Sequence, residues 1–214
     1  MNRTQTVILA GGYGTRLSKV FPGTPKPLIP VNGIPILERI VNECKKYNQK
    51  DILLLTHFKA NKIRNYFGDG KKFGVSISYF EEEHPMGTGG ALLLAKHLLE
   101  KTFLVLYADV YFDLNLDLFK KFHNENSAEL SMVIHPNNHP YDSDLVVLGK
   151  NNKVIDIKPA LDNTKFNYRN LVNAAMYIMD KSILDIPYSK NEKYDIAKDF
   201  IPTILKNNNK IFTY

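Results

Sequence analysis

The sequence predicts an α/β fold in which a mostly parallel, mixed sheet carries helices on both faces. Short apolar runs, typical of buried parallel strands, alternate with segments whose apolar residues recur at helical spacing. The first such run ends in a group of glycines, as a strand followed by a tight turn would. Of the 214 residues, 44% are hydrophobic and 23% are charged, which suits a protein with a buried core and excludes a disordered chain.

Strands and helices alternate in the first half of the chain. Three short runs are largely apolar, and in a fourth run serines alternate with apolar residues, which indicates a half-exposed strand. These strands are predicted at residues 6–10, 51–56, 103–108 and, half exposed, 75–79. Apolar residues at three- and four-residue spacing predict helices at residues 35–47, 59–67, 89–99 and 117–123.

After residue 125 the predicted strands are joined by polar loops rich in Asn, Pro and Asp. Strands are predicted at residues 129–135, 144–148 and 171–179, and a last helix at residues 196–206, where Pro202 is expected to cause a kink. No flexible linker separates the two halves. The sequence therefore predicts one domain over residues 1–214, Rossmann-like in its first half.

Composition narrows the class of partner. The net charge is +6, but the lysines are scattered singly or in pairs, whereas nucleic-acid binders concentrate basic residues on one face. We therefore expect no nucleic-acid partner, although the positive field suits an anionic ligand. No apolar run reaches the roughly 18 residues of a membrane helix, and no apolar signal segment begins the chain, so we expect a cytoplasmic protein. The single cysteine, Cys44, is expected in the core.

A glycine-rich segment follows the first predicted strand directly. It reads Leu-Ala-Gly-Gly-Tyr-Gly-Thr-Arg-Leu over residues 9–17. Glycines there let the backbone turn tightly and bring its N–H groups to phosphate oxygens. The segment lacks the lysine of a P-loop and the third glycine of a dinucleotide-binding loop, and a purely structural turn leaves Thr15 and Arg16 unexplained. We therefore predict a phosphate site formed by Leu9, Ala10, Gly11, Gly12, Gly14, Thr15 and Arg16.

Two further charged residues stand where they would be aimed at a bound phosphate. Lys26 lies between two prolines, which stiffen its backbone and lower the entropy lost on binding. Asp109 follows an apolar strand, at the sheet edge where ligands bind in open α/β folds. A carboxylate there can hold Mg²⁺ against a triphosphate. A helix-capping or ion-paired aspartate is the structural alternative.

The order Gly-Gly-x-Gly-Thr-Arg, then Pro-Lys-Pro, resembles the signature of the sugar-1-phosphate nucleotidylyltransferases. Further matches follow in the family's order at residues 84–91, 108–109, 158–159 and 173–175, so the resemblance spans residues 7–205. It implies a nucleotide-diphospho-sugar transferase fold, in which the first half binds the nucleotide and residues 125–214 bind the sugar phosphate. The implied reaction joins an NTP and a sugar 1-phosphate into an NDP-sugar and releases pyrophosphate.

The resemblance also implies roles for individual residues. Arg16, Lys26 and Asp109 would be catalytic, with Asp109 holding Mg²⁺. Pro85, Gly87 and Thr88 would bind the nucleotide, and Gly87, Gly89 and Gly90 would let the backbone approach the base and ribose. Lys158 would hold the phosphate of the sugar, and Asn173 would face the sugar ring; a surface lysine and a hydrogen-bonded structural asparagine are the alternatives. Ile157 stands where many relatives carry a glutamate that contacts the sugar.

Glu82 stands where relatives place an amide or acid facing the base edge. A carboxylate only accepts hydrogen bonds, and guanine offers two adjacent donors, whereas uracil offers one N–H flanked by carbonyls. This chemistry favours GTP. The alternative is a solvated acid within the run 81–83.

Residues 139–144 and 168–173 resemble most closely the D-glycero-D-manno-heptose 1-phosphate guanylyltransferase branch, including members fused to a haloacid-dehalogenase-type phosphatase. That branch implies GTP and heptose 1-phosphate as substrates, for precursors of lipopolysaccharide or capsule. Uridylyl or cytidylyl transfer to another sugar phosphate stays open, as do a non-catalytic nucleotide-binding module and a homo-oligomer. A glycosyltransferase is disfavoured because Asp109-Val110-Tyr111 lacks the second acid of an Asp-x-Asp metal motif.

The last residues, 210–214, form an apolar, strand-like run. Relatives continue beyond such a strand into a turn with a second Mg²⁺-binding aspartate, and we assign neither Asp195 nor Asp199 to that role. We therefore expect the chain to be the front portion of a longer protein, with a phosphatase domain as one form of the remainder. A natural short form with water in the second metal position is the alternative.

Overall fold

The computed structural model describes residues 4–17, 19–137, 144–158, 170–189 and 192–214. Within them, nine strands form one mixed sheet and two short strands form a separate hairpin. The strands are β1 (Gln5–Ala10), β2 (Pro30–Val31), β3 (Ile34–Pro35), β4 (Asp51–Thr56), β5 (Ser76–Glu81), β6 (Thr102–Tyr107), β7 (Leu130–Pro136), β8 (Leu145–Leu148), β9 (Val154–Lys158), β10 (Leu171–Asp180) and β11 (Ile211–Thr213). The α-helices are α1 (Ile36–Lys46), α2 (Ala60–Phe67), α3 (Gly87–Leu94), α4 (Leu116–Glu125) and α5 (Ile201–Lys206).

Four parallel strands lie side by side in the order β6-β1-β4-β5. β1 pairs with β4 on one side and with β6 on the other, so Leu9 lies opposite both Leu55 and Tyr107. Because the four strands run in one direction, their carboxyl ends meet at the same edge of the sheet. Ligands bind outside this edge in open α/β sheets.

Antiparallel pairing extends the sheet beyond β6. β10 lies antiparallel between β6 and β7, and β11 pairs in parallel with β7 at the end of the sheet. β8 pairs with both β10 and β9. The predicted α/β fold with a mixed, mostly parallel central sheet is confirmed, and the strand predicted at the end of the chain is β11.

Helices cover both faces of the sheet, as predicted. Val7 and Ile8 are adjacent in β1 and fully buried, but they belong to different cores, because successive strand residues point to opposite faces. The core around Ile8 contains the apolar stripe of α1, and the core around Val7 contains residues of α3 and α5. Cys44 lies fully buried in the apolar stripe of α1. Burial raises the pKa of its thiol to about 12, which makes it an inert core residue.

Two helices differ from the prediction by more than one or two residues or in helix type. α3 begins at Gly87, two residues before the predicted start, and is followed after Leu94 by a 3₁₀ turn. The predicted last helix consists of a π-helical turn, Ile196–Phe200, followed by α5 with Pro202 in its first turn. Proline has no N–H for a continuous α-helical ladder, so the change of backbone agrees with the expected kink.

The short hairpin β2–β3 is not part of the sequence prediction. Each of its strands has only two residues, and both strands contain a proline, so no alternating pattern can develop. Among the described residues, no helix is long and apolar enough to cross a bilayer.

Candidate active site

A cavity of about 290 Å³ opens at the carboxyl edge of the parallel strands. Its walls come from the segment after β1, the turn at Lys26, the ends of β4 and β6, and the residues from Glu82 into α3. The residues that line it are Leu9, Ala10, Gly11, Gly12, Tyr13, Lys26, Pro27, Leu55, Glu82, Pro85, Gly87, Thr88, Ala91, Tyr107, Ala108 and Asp109. The sheet edge that the prediction assigns to ligand binding therefore carries a concave site.

Most of the predicted site residues lie around this cavity. Those that line it are Leu9, Ala10, Gly11, Gly12, Lys26, Glu82, Pro85, Gly87, Thr88 and Asp109. Gly14, Thr15 and Arg16 continue the glycine loop beyond the lining residues, and the side chain of Arg16 is exposed. Lys158 and Asn173 lie outside the cavity lining, on β9 and β10.

The glycine loop, residues 11–16, crosses directly over Lys26. Gly14 has a φ of +60°, and a Cβ at this position would lie 2.9 Å from Cβ of Lys26. Both the backbone angle and the close approach therefore require glycine at this position. Gly12 differs, because a Cβ there would have nothing within 4 Å. The loop thus packs on the lysine at Gly14 and leaves open space at Gly12.

Lys26 and Asp109 form an ion pair at the cavity. Lys26 begins a 3₁₀ turn whose next residue, Pro27, is buried, so its backbone is fixed as the two prolines predict. Asp109 follows β6 at the carboxyl edge. The ion-paired aspartate named as the structural alternative is therefore present, and its partner, Lys26, is itself one of the predicted catalytic residues.

Glu82 is buried at the cavity wall and is only 6% exposed. Its Oε1 accepts a hydrogen bond from the backbone N–H of Met86 at 3.1 Å, and a Cβ on Gly11 would lie 3.0 Å from its Oε2. Burial raises the pKa of this carboxyl, although the Met86 N–H and nearby His57 oppose the shift. The alternative of a solvated acid is therefore wrong for Glu82.

Two glycines of α3 accommodate another part of the chain. The N–H groups of Gly89 and Gly90 both donate to the carbonyl oxygen of Tyr194, at 2.8 and 2.9 Å. A Cβ on Gly87, whose φ is +81°, would lie 2.7 Å from the same oxygen. These glycines, which the resemblance places beside base and ribose, let the backbone at Tyr194 pack against the start of α3.

Thr88 secures the same contact. Its Oγ1 donates to Oδ2 of Asp195 and accepts from the backbone N–H of Ile196, both at 2.9 Å. Oδ1 of Asp195 accepts from the backbone N–H groups of residues 197 and 198 and so caps the π-helical turn. Asp199 accepts from the N–H of Asp195 at 2.7 Å. These bonds agree with assigning neither aspartate to a metal.

Asn173 has hydrogen-bond partners at both ends of its amide. Its Nδ2 donates to the hydroxyl of Tyr177 at 2.6 Å, and its Oδ1 accepts from the backbone N–H of Ala175 at 3.0 Å. Ala175 has a φ of +57°, and the pairing of β10 with β7 shifts register between Asn173 and Tyr177. The asparagine therefore stabilises a β-bulge, the structural alternative for this residue.

Lys158 forms an ion pair of 2.5 Å with Asp156 at the end of β9. Leu145 of β8 lies opposite Lys158 of β9 on one side and opposite Val172 of β10 on the other, so one strand, β8, separates the strands that carry Lys158 and Asn173. Pro159 and most of the two segments that carry the heptose resemblance, residues 139–143 and 168–169, lie outside the described residues.

Sequence reasoning missed three polar residues at the site. Tyr13 stands between two glycines of the loop, Tyr107 ends β6, and His57 follows β4 directly. The rule that identified Asp109, a polar residue after a strand at the carboxyl edge, would also have identified His57. The hydroxyl of Tyr13 lies 3.1 Å from Nε2 of His57, a contact across 44 residues that no local pattern encodes.

Comparisons with known proteins agree with this geometry. The sequence profile of the nucleotidyl transferase family matches residues 5–213. Bifunctional protein GlmU of Methanococcus maripaludis is 37% identical over 182 residues, 84% of this chain and 41% of that protein. The chain thus spans about two fifths of the length of this relative.

A second relative matches over most of both lengths. D-glycero-alpha-D-manno-heptose 1-phosphate guanylyltransferase of Campylobacter jejuni subsp. jejuni serotype O:2 is 30% identical over 194 residues, 91% of this chain and 83% of that protein. Among solved structures, HddC from Yersinia pseudotuberculosis complexed with GMP-PN superposes with a TM-score of 0.80 at 25% identity, over 99% of this chain and 89% of that chain.

The family profile covers nearly the whole described sheet, from β1 to β11. The first four motifs in this order each contribute residues to one cavity at the edge where this fold binds ligands, whereas Lys158 and Asn173 lie outside its lining. Sequence, fold and site therefore agree, and the chain belongs to the nucleotidyl transferase family.

Proposed function

We propose that the chain transfers a nucleotidyl group from an NTP to a sugar 1-phosphate and releases pyrophosphate. The observation that carries the proposal is the common cavity of the glycine loop, the Lys26–Asp109 ion pair and the buried acid Glu82. An NTP needs a loop and a cation beside its phosphates and a hydrogen-bonding group at the edge of its base. The glycine loop, Lys26 and Glu82 are suited to these three tasks.

The sugar phosphate is the nucleophile in this reaction. Its second pKa near ~6 makes it largely a dianion at neutral pH, so its oxygen can attack the α-phosphorus without a general base. The new bond joins that oxygen to the α-phosphorus. The bond from the α-phosphorus to the bridging oxygen breaks, and pyrophosphate leaves with the electron pair. The chain then has to position the reactants and neutralise charge.

Lys26 and Arg16 supply the neutralising charges. Asp109 holds the ammonium of Lys26 at the cavity, so this cation is in place before a substrate binds. We assign it to the reacting α-phosphate. Arg16 lies on the exposed flank of the glycine loop, where we assign it to the departing pyrophosphate. The open space at Gly12 suits close approach of a phosphate to the loop backbone.

Asp109 also fits a Mg²⁺ ion shared with the phosphates. Mg²⁺ commonly takes one or two carboxylates together with phosphate oxygens and waters, and Asp109 presents a partly exposed carboxylate at the cavity. The described residues contain no group of three acidic, His or Cys side chains that would hold a metal alone. When bound, the ion would neutralise phosphate charge and orient the triphosphate.

Glu82 supports guanine as the base. The Met86 N–H fixes one carboxylate oxygen, and the carboxylate faces the cavity beside Gly11. An acceptor-only group suits the adjacent N1–H and 2-amino donors of guanine and would meet a carbonyl in uracil. Two proteins similar to this chain agree, since one is named a guanylyltransferase and the other is bound to GMP-PN. We therefore propose GTP as the substrate.

The proposal for the sugar substrate rests on one relative and on two segments of the sequence. The Campylobacter relative is named for heptose 1-phosphate, and residues 139–144 and 168–173 resemble that branch. Lys158 is our candidate for the sugar phosphate and Asn173 for the ring. Because both amide ends of Asn173 are already bonded within β10, its contribution to the sugar would come through the bulge that it fixes.

A pyrophosphate-release assay tests the proposal. The chain is mixed with Mg²⁺, one of GTP, UTP or CTP, and one of a panel of sugar 1-phosphates that includes heptose 1-phosphate. GTP with heptose 1-phosphate should give the fastest release. Faster release with UTP or CTP would overturn the guanine assignment alone. Calorimetric binding of GTP without release from any pair would overturn transfer and support the non-catalytic module.

A phosphatase domain fused beyond residue 214 and a homo-oligomer both stay open, and we propose a cytoplasmic location. The mass of the natural protein tests for the fusion, its size in solution tests for the oligomer, and cell fractionation tests the location.

A further inference from the structure

We propose that Tyr13 and His57 form a latch that holds the glycine loop on the carboxyl end of β4 and thereby sets the affinity for the triphosphate. This inference rests on the proposed function for its ligand, but the latch itself is a feature of the fold. Both members are positioning residues, because they act through the loop backbone.

The contact between the two residues is specific. The Tyr13 hydroxyl lies 3.1 Å from Nε2 of His57, and the two rings meet edge to face with centroids 5.6 Å apart. The ring of Phe58 also contacts the tyrosine ring, with centroids 5.3 Å apart. Tyr13 is nevertheless 47% exposed, so its ring is not part of either core. Packing in the core of the sheet therefore does not fix the Tyr13 side chain, and its described contacts are those with His57 and Phe58.

The hydrogen bonds of His57 fix the direction of the latch. Nδ1 lies 2.9 Å from the carbonyl oxygen of Glu82, which only accepts, so the neutral imidazole carries its proton on Nδ1. Nε2 is then the acceptor, and the Tyr13 hydroxyl donates to it. The Glu82 N–H in turn donates to the carbonyl of Thr56 at 2.9 Å, which ties this end of the latch to the sheet.

The loop needs such an attachment because glycines flank Tyr13 on both sides. Gly12 and Gly14 give the backbone wide freedom, and the conformations lost on ordering a loop weaken ligand binding. One hydrogen bond from the residue between them restricts the loop before the ligand arrives. The bond also connects the phosphate loop to the main chain of Glu82, the residue that we assign to the base.

Removing the hydroxyl alone tests the latch. Tyr13→Phe keeps the ring contacts and should raise KM for the NTP about threefold to tenfold, the effect of one neutral hydrogen bond, with kcat changed less than about twofold. Tyr79→Phe is the matched control, because Tyr79 donates to the carbonyl of Gly68 at 2.7 Å on β5, outside the cavity lining. It should leave KM unchanged. An unchanged KM in Tyr13→Phe would overturn the proposal.

His57→Asn completes a double-mutant cycle. The asparagine amide can keep the bond to Glu82 but is too short to reach Tyr13, so this variant should raise KM as Tyr13→Phe does. The double variant should then show no more than the single effect, because both changes remove the same bond. Fully additive effects would show that the two residues act separately and would refute the latch.

Trypsin cleavage after Arg16 tests the latch without any activity. In the nucleotide-free chain, Tyr13→Phe should speed cleavage after Arg16 severalfold, whereas Tyr79→Phe should not. Faster cleavage in a chain that releases no pyrophosphate would keep the latch and overturn the proposed function. Normal cleavage and normal KM in Tyr13→Phe, with an active wild type, would overturn the latch and keep the function.

Discussion

Replacing Lys26 by alanine should lower kcat of nucleotidyl transfer by about 10²- to 10³-fold. Asp109 holds the lysine ammonium at the cavity, so the cation is oriented before the reaction begins. Removing one preorganised charge of this kind raises the activation free energy by about 2.7–4 kcal/mol. We expect this loss in kcat because the charge on the α-phosphate develops in the transition state.

The free energy of unfolding should change much less in the same variant. The side chains of Lys26 and Asp109 are 39% and 32% exposed, so water screens their attraction, and such pairs contribute about 0–1 kcal/mol. The glycine loop packs on Cβ of Lys26 at Gly14, and alanine retains that atom. The structure therefore predicts an inactive protein that is still folded.

The assay is pyrophosphate release at saturating NTP, with thermal unfolding measured on the same samples. Lys120→Ala is the matched control, because Lys120 forms a 2.8 Å ion pair with Asp117 on α4, outside the cavity lining. The control should keep both kcat and melting temperature. A Lys26→Ala protein with near-normal kcat would refute the assignment of Lys26, and one that unfolds would refute the structural reasoning.

Four further outcomes are expected. Asp109→Asn should abolish the dependence of the rate on Mg²⁺ in a titration of the ion, and retained dependence would exclude Asp109 as its ligand. Asp113→Asn is the control, because Asp113 lies outside the cavity lining. Glu82→Gln should lower the preference for GTP, measured as kcat/KM for GTP divided by kcat/KM for UTP, by about tenfold or more. The reason is that an amide both donates and accepts hydrogen bonds, whereas the carboxylate only accepts them. An unchanged preference would contradict the guanine assignment. Gly87→Ala should lower the free energy of unfolding, measured by chemical denaturation, more than Gly33→Ala does. Both glycines have φ near +80°, but only at Gly87 would the added Cβ meet the Tyr194 backbone, so equal decreases would contradict that contact. Burial lowers the pKa of His123 below its ordinary 6.5, despite the opposing effect of Asp180. As pH falls below 6.5, the unfolded state therefore binds a proton before the folded state does, and the contribution of His123 to stability is lost. Melting temperatures measured from about pH 8 to about pH 5 should fall with pH, and His123→Asn should reduce that slope.

Much of the fold is predictable because its central strands carry their signal locally. β4 begins and ends where the apolar run predicts, and β1 and β6 differ from the predicted bounds by one residue. The start of α3 escaped prediction for a physical reason. Glycine is a poor helix former, and the first turn of α3 is held by hydrogen bonds from Gly89 and Gly90 to Tyr194, more than a hundred residues away.

The candidate site was predicted where its residues follow strand ends or stiff turns. Lys26 and Asp109 are separated by 83 residues, yet each has a local cue, a pair of prolines or a strand end, and the fold brings them into one ion pair. Tyr13 and His57 have no pairing cue, because their contact depends on where the loop crosses β4. The sequence thus predicts site residues whose position follows from their own strand or turn. It does not predict residues that reach the site through a contact between two distant elements.

Glycines in the motifs show why a sequence pattern cannot separate architecture from chemistry. A glycine permits close approach, but the pattern does not say which group approaches. At Gly87 the approaching group is the backbone of Tyr194, and at Gly14 it is the side chain of Lys26, so both groups belong to this chain. At Gly12 a Cβ would meet nothing within 4 Å, although this position lines the cavity. The space at Gly12 is therefore not used by the described residues of the chain, and under the proposed function a bound phosphate would use it.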